Sequence, residues 1–379
     1  MNVSDYGIDP KCGVLNEGSL YRIKKVMKKA RRGENVVIGF LGGSITQGCL
    51  SSTPETCYAY LVYKWWRDRF PEADITYVNA GIGGTTSQFG VARADSDLLS
   101  HDIDFTVVEF SVNDDNNGHF LETYEGLIRK IYAYKTASAV LIVNSVRYDD
   151  GVNAQEQHVK IGRAYGIPCV SMKPTIYAKV LDHTFTSRDV TEDDLHPNDL
   201  GHRLMADVII NFLETVFDAH DDVQDESDIN VSDVTPVTQN AYENSIRYQN
   251  YNCGSIITYN DGFTPDMEEQ NDIRDIFKRG WTADRTGACI SFEVEGCCIG
   301  VQYRKSVNKP APVARAVIDG DSVNAIILDG NFDETWGDSL HLDTLAEHLP
   351  YGKHTIDIEL TQTHPDDKVP FYLTSLIVS

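Results

Sequence analysis

Short apolar runs alternate with helical segments along roughly the first 215 residues, and this alternation restricts the fold more than any other feature. Each run is only a few residues long and contains β-branched residues, which is typical of buried strands. Strands and helices that alternate at this spacing predict a parallel sheet with helices on both faces. The predicted strands are 36–41, 75–79, 105–111, 139–145 and 168–171, and the predicted helices are 18–32, 58–70, 86–99, 120–136, 153–165 and 199–217.

The turn that follows the first strand holds a candidate nucleophile. Gly42 and Gly43 allow the backbone to turn sharply without the steric penalty of a side chain. Ser44 then lies at the carboxyl end of the strand, where open α/β sheets bind their ligands. A Gly-Ser pair after a strand is also common in ordinary turns, so Ser44 alone does not establish a catalytic site.

Three further blocks fit the same chemistry. Residues 79–85 (NAGIGGT) follow the second strand, residues 111–114 (SVND) follow the third, and residues 193–198 (DDLHPN) precede the last helix. With the serine turn, these blocks occur in the order typical of the SGNH (GDSL-like) hydrolase superfamily, which the chain resembles over roughly its first 215 residues. The resemblance implies a three-layer, flavodoxin-like α/β domain built on a parallel sheet.

The resemblance also implies a role for particular residues of each block. Ser44 is the expected nucleophile, and Asp193 and His196 are its expected acid–base partners. The expected oxyanion hole consists of the backbone N–H groups of Ser44 and Gly84 and the side-chain amide of Asn113. We expect no metal ion and no organic cofactor.

The chemistry of acyl transfer requires these residue types. A serine hydroxyl is a weak nucleophile near neutral pH, so it needs a base such as His196 within hydrogen-bond reach. An imidazole that accepts a proton needs a carboxylate to orient it and to stabilise its charge. Asp193 is preferred for that task on motif spacing, and the adjacent Asp194 is the competing assignment.

The blocks depart from the superfamily pattern at two positions. Gly43 stands where an Asp is usual, and Ser111 stands where a Gly is usual. Because neither position carries a catalytic proton, we expect these changes to mark a subfamily rather than a loss of activity. His202, at the start of the last predicted helix, is expected to be structural.

The net charge of the chain restricts the classes of molecule that it is expected to bind. The net charge is −24, from 33 basic and 57 acidic residues. This charge disfavours nucleic acids and anionic membranes and favours neutral partners such as uncharged polysaccharides. No stretch approaches 18 consecutive apolar residues, so no membrane span is expected.

The eight cysteines and the N-terminal residues favour a cytoplasmic location. The cysteines are scattered and lack the spacing of a metal site. The first residues lack the basic start and apolar segment of a secretory signal. We therefore expect reduced thiols in the cytoplasm.

The composition predicts two domains. Residues 1–218 form the expected hydrolase domain, and residues 219–245 are acidic and polar and form an expected linker. In residues 246–379, apolar and polar residues alternate with a period of two in several short segments. Short strands with turns between them predict an all-β sandwich, and it resembles jelly-roll modules of the carbohydrate-binding kind. The predicted strands are 288–294, 298–303, 314–319, 354–360 and 372–378.

A polar loop of the second domain carries a candidate substrate-binding residue. Trp336 stands within residues 329–338, and aromatic faces stack on sugar rings. We expect Trp336 to reach over the first domain and to hold a glycan near Ser44. The alternative is a tryptophan buried beneath its own loop.

These features predict a two-domain carbohydrate O-acetylesterase with an acetylated oligosaccharide as substrate. The domain order is similar to that of the acetylmannan esterases of carbohydrate esterase family seventeen, which are cytoplasmic enzymes of gut bacteria. Acetylated xylan is an alternative substrate, and an esterase or lysophospholipase for lipidic acyl chains is a second function. A glycan-binding protein with an inactive hydrolase domain is a third. The sequence does not determine the oligomeric state, and a homo-oligomer is one alternative.

Overall fold

A six-stranded sheet contains the strands that the apolar runs predict. The computed structural model describes residues 3–219 and 227–379. The strands of this sheet are β1 (Val14–Asn16), β2 (Val36–Gly42), β3 (Ile75–Gly81), β4 (Phe105–Glu109), β5 (Ala139–Asn144) and β6 (Cys169–Ser171). Their order is β1-β6-β5-β4-β2-β3, with β2 to β6 parallel and β1 antiparallel to β6.

Helices connect these strands and cover them. They are α1 (Tyr21–Arg31), α2 (Ser44–Gln47), α3 (Tyr58–Arg69), α4 (Ser87–Asp97), α5 (Gly118–Tyr132), α6 (Gln155–Ala164), α7 (Ala178–Leu181), α8 (Ser187–Val190) and α9 (Asp199–Asp218). Helices α3 and α9 contact each other, as do α4 and α5, and α5 and α6. The predicted α/β fold with a parallel sheet is confirmed.

Burial on both faces explains why the strands were visible in the sequence. All residues of β4 and β5 are buried. Phe105 and Val107 of β4 belong to the core cluster that includes Trp66 of α3 and Leu213 of α9. Successive side chains of a strand point to opposite faces, so Thr106 and Val108, also buried, face the other side. Such strands are apolar along their whole length.

The register of the sheet brings three strand ends together. Gly42 at the end of β2 pairs with Gly81 at the end of β3 and with Glu109 at the end of β4. The serine turn, the glycine-rich block and the block that contains Asn113 therefore begin at the same edge of the sheet.

The second part of the chain is an all-β unit. Its strands are β7 (Ile246–Tyr248), β8 (Ile257–Asp261), β9 (Thr264–Pro265), β10 (Trp281–Ala283), β11 (Cys289–Gly296), β12 (Ile299–Lys305), β13 (Val313–Ile318), β14 (Ile326–Asp329), β15 (Ser339–Ala346), β16 (Gly352–Gln362) and β17 (Phe371–Val378). One antiparallel sheet has the order β15-β12-β17-β10-β9 with β7 beside β17, and the other has the order β14-β13-β16-β11-β8. The predicted sandwich class is confirmed, and alternating residues of β11 such as Ile290 and Phe292 fill its core.

The chain divides by its internal contacts into a first unit, residues 1–243, and a second unit, residues 244–379. Residues 220–226 of the predicted acidic linker lie outside the described residues. Residues 227–243 belong to the first unit, and Val237 and Thr238 among them contact helix α5. Within the described ranges, no helix is both long and apolar enough to cross a membrane.

A buried carboxyl group fixes the segment before the second unit. Glu125 of α5 is fully buried. Its Oε1 accepts hydrogen bonds from the Tyr165 hydroxyl at 2.5 Å and the Val237 N–H at 2.6 Å. Its Oε2 accepts from the N–H and the hydroxyl of Thr238, at 2.8 and 2.5 Å. Three of these hydrogen bonds hold Val237 and Thr238, which lie within the predicted linker, against helix α5.

We predict that Glu125→Ala lowers the free energy of unfolding by about 3–5 kcal/mol, because it leaves buried donors without an acceptor. Urea denaturation measures the change. The matched control is Glu293→Ala, which removes an exposed ion pair with Lys353 and should cost less than about 1 kcal/mol. Equal effects of the two substitutions would contradict the prediction.

Candidate active site

Ser44 is the first residue of the short helix α2, directly after β2 and Gly43. The fully buried Arg93 donates hydrogen bonds to the carbonyl oxygens of Gly42, at 3.0 Å, and Ala80, at 2.7 Å. The Asn79 amide donates to the carbonyl oxygen of Thr46 at 2.8 Å. The ends of β2 and β3 and the turn of Ser44 are therefore held together by side chains as well as by the sheet.

His196 lies beside Ser44 although 152 residues separate them in the sequence. Its Nε2 is 2.8 Å from the Ser44 Oγ, and its Nδ1 is 2.6 Å from Oδ2 of Asp193. The other carboxyl oxygen of Asp193 accepts the backbone N–H groups of His196, at 2.7 Å, and Leu195, at 3.0 Å. The structure thus brings the three predicted residues into one hydrogen-bonded row.

Asp194 is turned away from the imidazole. Its carboxylate pairs with Arg188 at 2.5 Å, and its carbonyl oxygen accepts the N–H of Tyr148 at 2.7 Å. Its φ of 63° is in the left-handed region, where Asp is better tolerated than most residues. The geometry therefore favours Asp193 over Asp194 as the partner of His196.

The two remaining predicted blocks border the serine turn. The Gly83 N–H donates to the Gln47 Oε1 at 2.6 Å, and a Cβ atom at Gly83 would lie 3.6 Å from the Ser44 Cβ. Gly84 follows with a φ of 67° and open space around its Cα. Among the residues that the structure describes, no acceptor pairs with the Gly84 N–H. Asn113 lies against Gly43 on the other side.

A buried cluster supports the loop that contains Asn113. The N–H groups of Asn113 and Asp114 both donate to the carbonyl oxygen of Phe110, at 3.0 and 2.9 Å. The Asp114 carboxyl accepts the Ser87 N–H at 2.9 Å and lies 3.1 Å from the Nε2 of His158. This cluster was not predicted, because nothing in the sequence near His158 links it to the block.

Cys49 is a neighbour of the imidazole that sequence analysis missed. Its side chain lies close enough to His196 to raise the pKa of the imidazole, and its N–H donates to the carbonyl oxygen of Ser44 at 3.0 Å. The only available signal was its position five residues after Ser44, just beyond the short helix.

His202 forms a hydrogen bond with the backbone of Cys49. Its Nδ1 accepts the N–H of Tyr58 at 3.4 Å, and its Nε2 donates to the carbonyl oxygen of Cys49 at 3.2 Å. Burial lowers the pKa of His202 to about 4, so the ring stays neutral with its proton on Nε2. These contacts are those of a structural histidine.

Two opposing effects set the pKa of His196. Burial lowers it, but interactions with the side chains of Cys49 and Asp193 outweigh burial and raise the pKa to about 9. Burial also raises the pKa of Asp193, but its hydrogen bonds from the side chain and backbone of His196 hold that pKa below its usual value. The pair therefore favours a carboxylate beside an imidazole of increased basicity.

Trp336 lies in the second unit and is 64% exposed. It is therefore not buried beneath its loop. Its ring packs edge-to-face on Phe332, with 5.1 Å between the ring centroids.

Within residues 3–219 and 227–379, no group of three or more His, Cys, Asp or Glu side chains is placed to hold a metal ion.

Comparisons with known proteins identify a family and several similar proteins. The sequence profile of the GDSL-like lipase/acylhydrolase family matches residues 40–204. A solved structure described as a two-domain esterase active on acetylated mannans is 55% identical, with a TM-score of 0.95 over 98% of each chain. A second such structure, co-crystallised with mannopentaose, is 55% identical with a TM-score of 0.93 over 98% of each chain. Thioesterase 1/protease 1/lysophospholipase L1 of Escherichia coli (strain K12) is 26% identical over 177 residues, which are 44% of this chain and 78% of that protein.

Proposed function

Because the chain belongs to the GDSL-like lipase/acylhydrolase family, we propose that it is a serine esterase that removes O-acetyl groups from hemicellulose-derived oligosaccharides. Acetylated mannan is the favoured substrate. The observation that carries the proposal is the row of hydrogen bonds from Ser44 through His196 to Asp193. No metal and no organic cofactor takes part in the proposed reaction.

The row supports the following course of reaction. His196 Nε2 takes the proton of the Ser44 hydroxyl as Oγ attacks the carbonyl carbon of the acetyl ester. The imidazolium then gives that proton to the departing sugar oxygen, which leaves an acetyl group on Ser44. Water attacks the acetyl-enzyme with His196 again as base, and acetate is released. Asp193 orients the ring and stabilises its positive charge throughout.

Three donors are proposed for the oxyanion. The N–H of Ser44 begins helix α2, and the N–H of Gly84 is the next one along the loop after Gly83, whose own N–H is occupied by Gln47. The Asn113 side-chain amide is the third. Because these donors belong to the ends of three adjacent strands, they are fixed before substrate binds, and each is worth about 10²–10³ in rate.

The choice of substrate rests on the two-domain relatives. Both are similar over the whole length of this chain, second unit included, and their described activity is on acetylated mannans. The net charge of −24 also suits an uncharged glycan better than an anionic lipid surface. The lysophospholipase relative matches only part of the chain, so a lipidic substrate is the second candidate.

In this proposal the second unit is a carbohydrate-binding module, and Trp336 binds a sugar ring. The exposed indole offers an apolar face, and the edge-to-face contact with Phe332 restrains its orientation. The loop is also fixed by Asp338, which accepts hydrogen bonds from the Ser306 hydroxyl and the Val307 N–H. A restrained aromatic side chain loses little conformational freedom on binding.

The proposed location is the cytoplasm. All eight cysteines are free thiols in the structure, and several of them, such as Cys57 and Cys169, are buried without a disulfide partner. A reducing compartment maintains such thiols.

The decisive experiment follows acetate release from acetylated mannan and acetylated xylan by NMR, resolved by ring position. We expect loss of acetyl groups from mannan, and we expect Ser44→Ala to lower kcat by at least about 10³-fold because the nucleophile is absent. Release from xylan alone would change the substrate. Activity only on longer acyl esters would favour the lipidic reading, and no hydrolysis of any ester would leave a glycan-binding protein.

The pH dependence of kcat/KM on 4-nitrophenyl acetate tests the role of His196. A general base must be neutral in the free enzyme, so kcat/KM should rise with pH and reach half of its maximum near pH 9. Cys49→Ala removes one of the side-chain interactions that raise the pKa of His196, so the half-maximum should move to lower pH. Cys12→Ala, at an exposed thiol, is the control and should not move it. Identical profiles for both variants would exclude an effect of Cys49 on the base.

The role of Trp336 is tested by Trp336→Ala. Loss of a stacking face should raise KM for acetylated mannooligosaccharides about threefold to tenfold and barely change hydrolysis of 4-nitrophenyl acetate. Tyr351→Ala removes another exposed aromatic side chain of the second unit and serves as the control. An equal loss on polymer and small ester would contradict a substrate-binding role.

A further inference from the structure

A single buried carboxyl group connects the two loops that carry Gly84 and Asn113. Asp114 follows Asn113 directly, and its side chain is fully buried. Its Oδ1 accepts the N–H of Ser87 at 2.9 Å, and Ser87 stands three residues after Gly84. Strands β3 and β4, from which these loops start, do not pair with each other, because β2 lies between them. The Asp114 carboxyl therefore joins the two loops across the end of β2.

The hydrogen bond with Ser87 also caps helix α4. Ser87 is the first residue of this helix, and the first N–H groups of a helix have no partner within it. Among the described residues, the side chain of Thr86, at the N-cap position, caps none of them. A carboxyl group is a favourable acceptor at this end of a helix. Asp114 thus supplies from a distant block the cap that the local sequence does not.

Helix α6 holds the same loop from the other side. The Nε2 of His158 lies 3.1 Å from Oδ2 of Asp114, and the fully buried imidazole stacks on the ring of Tyr124 with 3.6 Å between the centroids. The Nδ1 of His158 has no hydrogen-bond partner among the described residues, so the ring serves Asp114. The N–H of Ala154 donates to the carbonyl oxygen of Ser111 at 2.7 Å. The loop is therefore held at two points.

Each loop is also closed by hydrogen bonds of its own. The N–H groups of Asn113 and Asp114 both donate to the carbonyl oxygen of Phe110, so a movement of Asp114 carries Asn113 with it. In the other loop, the Thr85 hydroxyl donates to the carbonyl oxygen of Ile82 at 2.6 Å. The contact between Asp114 and Ser87 then sets how far apart the two loops lie.

We propose that Asp114 is a positioning residue that sets the separation between the Gly84 N–H and the Asn113 amide. This inference rests on the proposed function, because it takes these two groups to be oxyanion donors. Donors act only when they are already placed around the developing charge, and a misplacement of about 1 Å can cost about 10²-fold in rate. The side chains of Asp114 and His158 are fully buried, so they act through the loops and not on the substrate.

Two substitutions at Ser87 isolate the hydrogen bond. Ser87→Pro removes the N–H that Asp114 accepts, and proline suits the first position of a helix. The extended backbone of Thr86, with φ −108° and ψ 173°, is compatible with a following proline. Ser87→Ala keeps the N–H and removes only the hydroxyl, which lies 2.7 Å from the hydroxyl of Thr123. The pair separates loss of the backbone contact from loss of the side chain.

Steady-state kinetics on 4-nitrophenyl acetate measures the effect. Ser87→Pro should lower kcat about 10- to 100-fold and change KM less than about twofold, because oxyanion donors act in the transition state. Ser87→Ala should keep kcat within about twofold of the wild type. Wild-type kcat in Ser87→Pro would overturn the proposal, and so would equal losses in the two variants.

Substitutions of the carboxyl group test the same contact without proline, and they decide the question if Ser87→Pro does not fold. Asp114→Ala should lower kcat by a factor similar to that of Ser87→Pro. Asp114→Asn should recover most of the loss, because its Oδ1 can still accept the Ser87 N–H and its Nδ2 can donate to His158. Adding Asp114→Ala to Ser87→Pro should cost less than about a further twofold. Full additivity, or no recovery in Asp114→Asn, would contradict a role through Ser87.

Glu125→Gln is the matched control for a loss of stability. Glu125 is also a buried carboxyl group that accepts distant backbone N–H groups, those of Val237 and Thr238, but it belongs to neither loop. Its substitution should lower stability and leave kcat within about twofold of the wild type. A loss of kcat as large as that of Ser87→Pro would overturn the proposal, because general destabilisation would then explain both.

Crystal structures of the wild type and Ser87→Pro give a readout that does not depend on activity. We expect the distance between the Gly84 N and the Asn113 Nδ2 to change by about 1 Å, while Ser44 and His196 keep their hydrogen bond. An unchanged distance would overturn the proposal. A changed distance in a protein whose wild type hydrolyses no ester would uphold the role of Asp114 in spacing the loops and overturn the proposed function instead.

Discussion

The geometry of the site depends on the hydrogen bonds of the Arg93 guanidinium. This group is fully buried, donates to the carbonyl oxygens of Gly42 and Ala80 at the ends of β2 and β3, and pairs with Asp97 at 3.2 Å. Burial lowers the pKa of Arg93, and a buried cation that loses its partners is strongly destabilising. The two turns that follow these strands therefore keep a fixed separation. Ser44 belongs to one of them and Gly84 to the other.

Much of the fold could be predicted because its signals are local. A parallel strand buried on both faces is a continuous apolar run, as in residues 105–109, and the antiparallel sandwich shows a period of two, as in residues 289–296. Strand β1, with three half-buried residues, and the short edge strands of the second unit give no such pattern. The contacts of Glu125 with residues 237–238 join distant parts of the chain, and the composition of that acidic segment gives no sign of them.

The site could be predicted as a set of residues but not as a set of contacts. Ser44, His196 and Asp193 stand in blocks with recognisable spacing, and the structure places them within hydrogen-bond distance of one another. Cys49 and Arg93 stand outside any such pattern, since what they do depends on which distant backbone or ring happens to lie beside them. Local sequence records a residue's chemistry, whereas its neighbours are a property of the whole fold.

The loop of residues 193–196 contains both Asp193 and His196. Asp193 accepts the side chain of His196 through one oxygen and its backbone N–H through the other. The pair is therefore a closed ring of hydrogen bonds within four residues, and the Thr191 hydroxyl donates a further hydrogen bond to Asp193 at 3.2 Å. A displacement of this loop would therefore move Asp193 and His196 together and keep the hydrogen bonds between them. The distance that it would change is the one between the His196 Nε2 and the Ser44 hydroxyl.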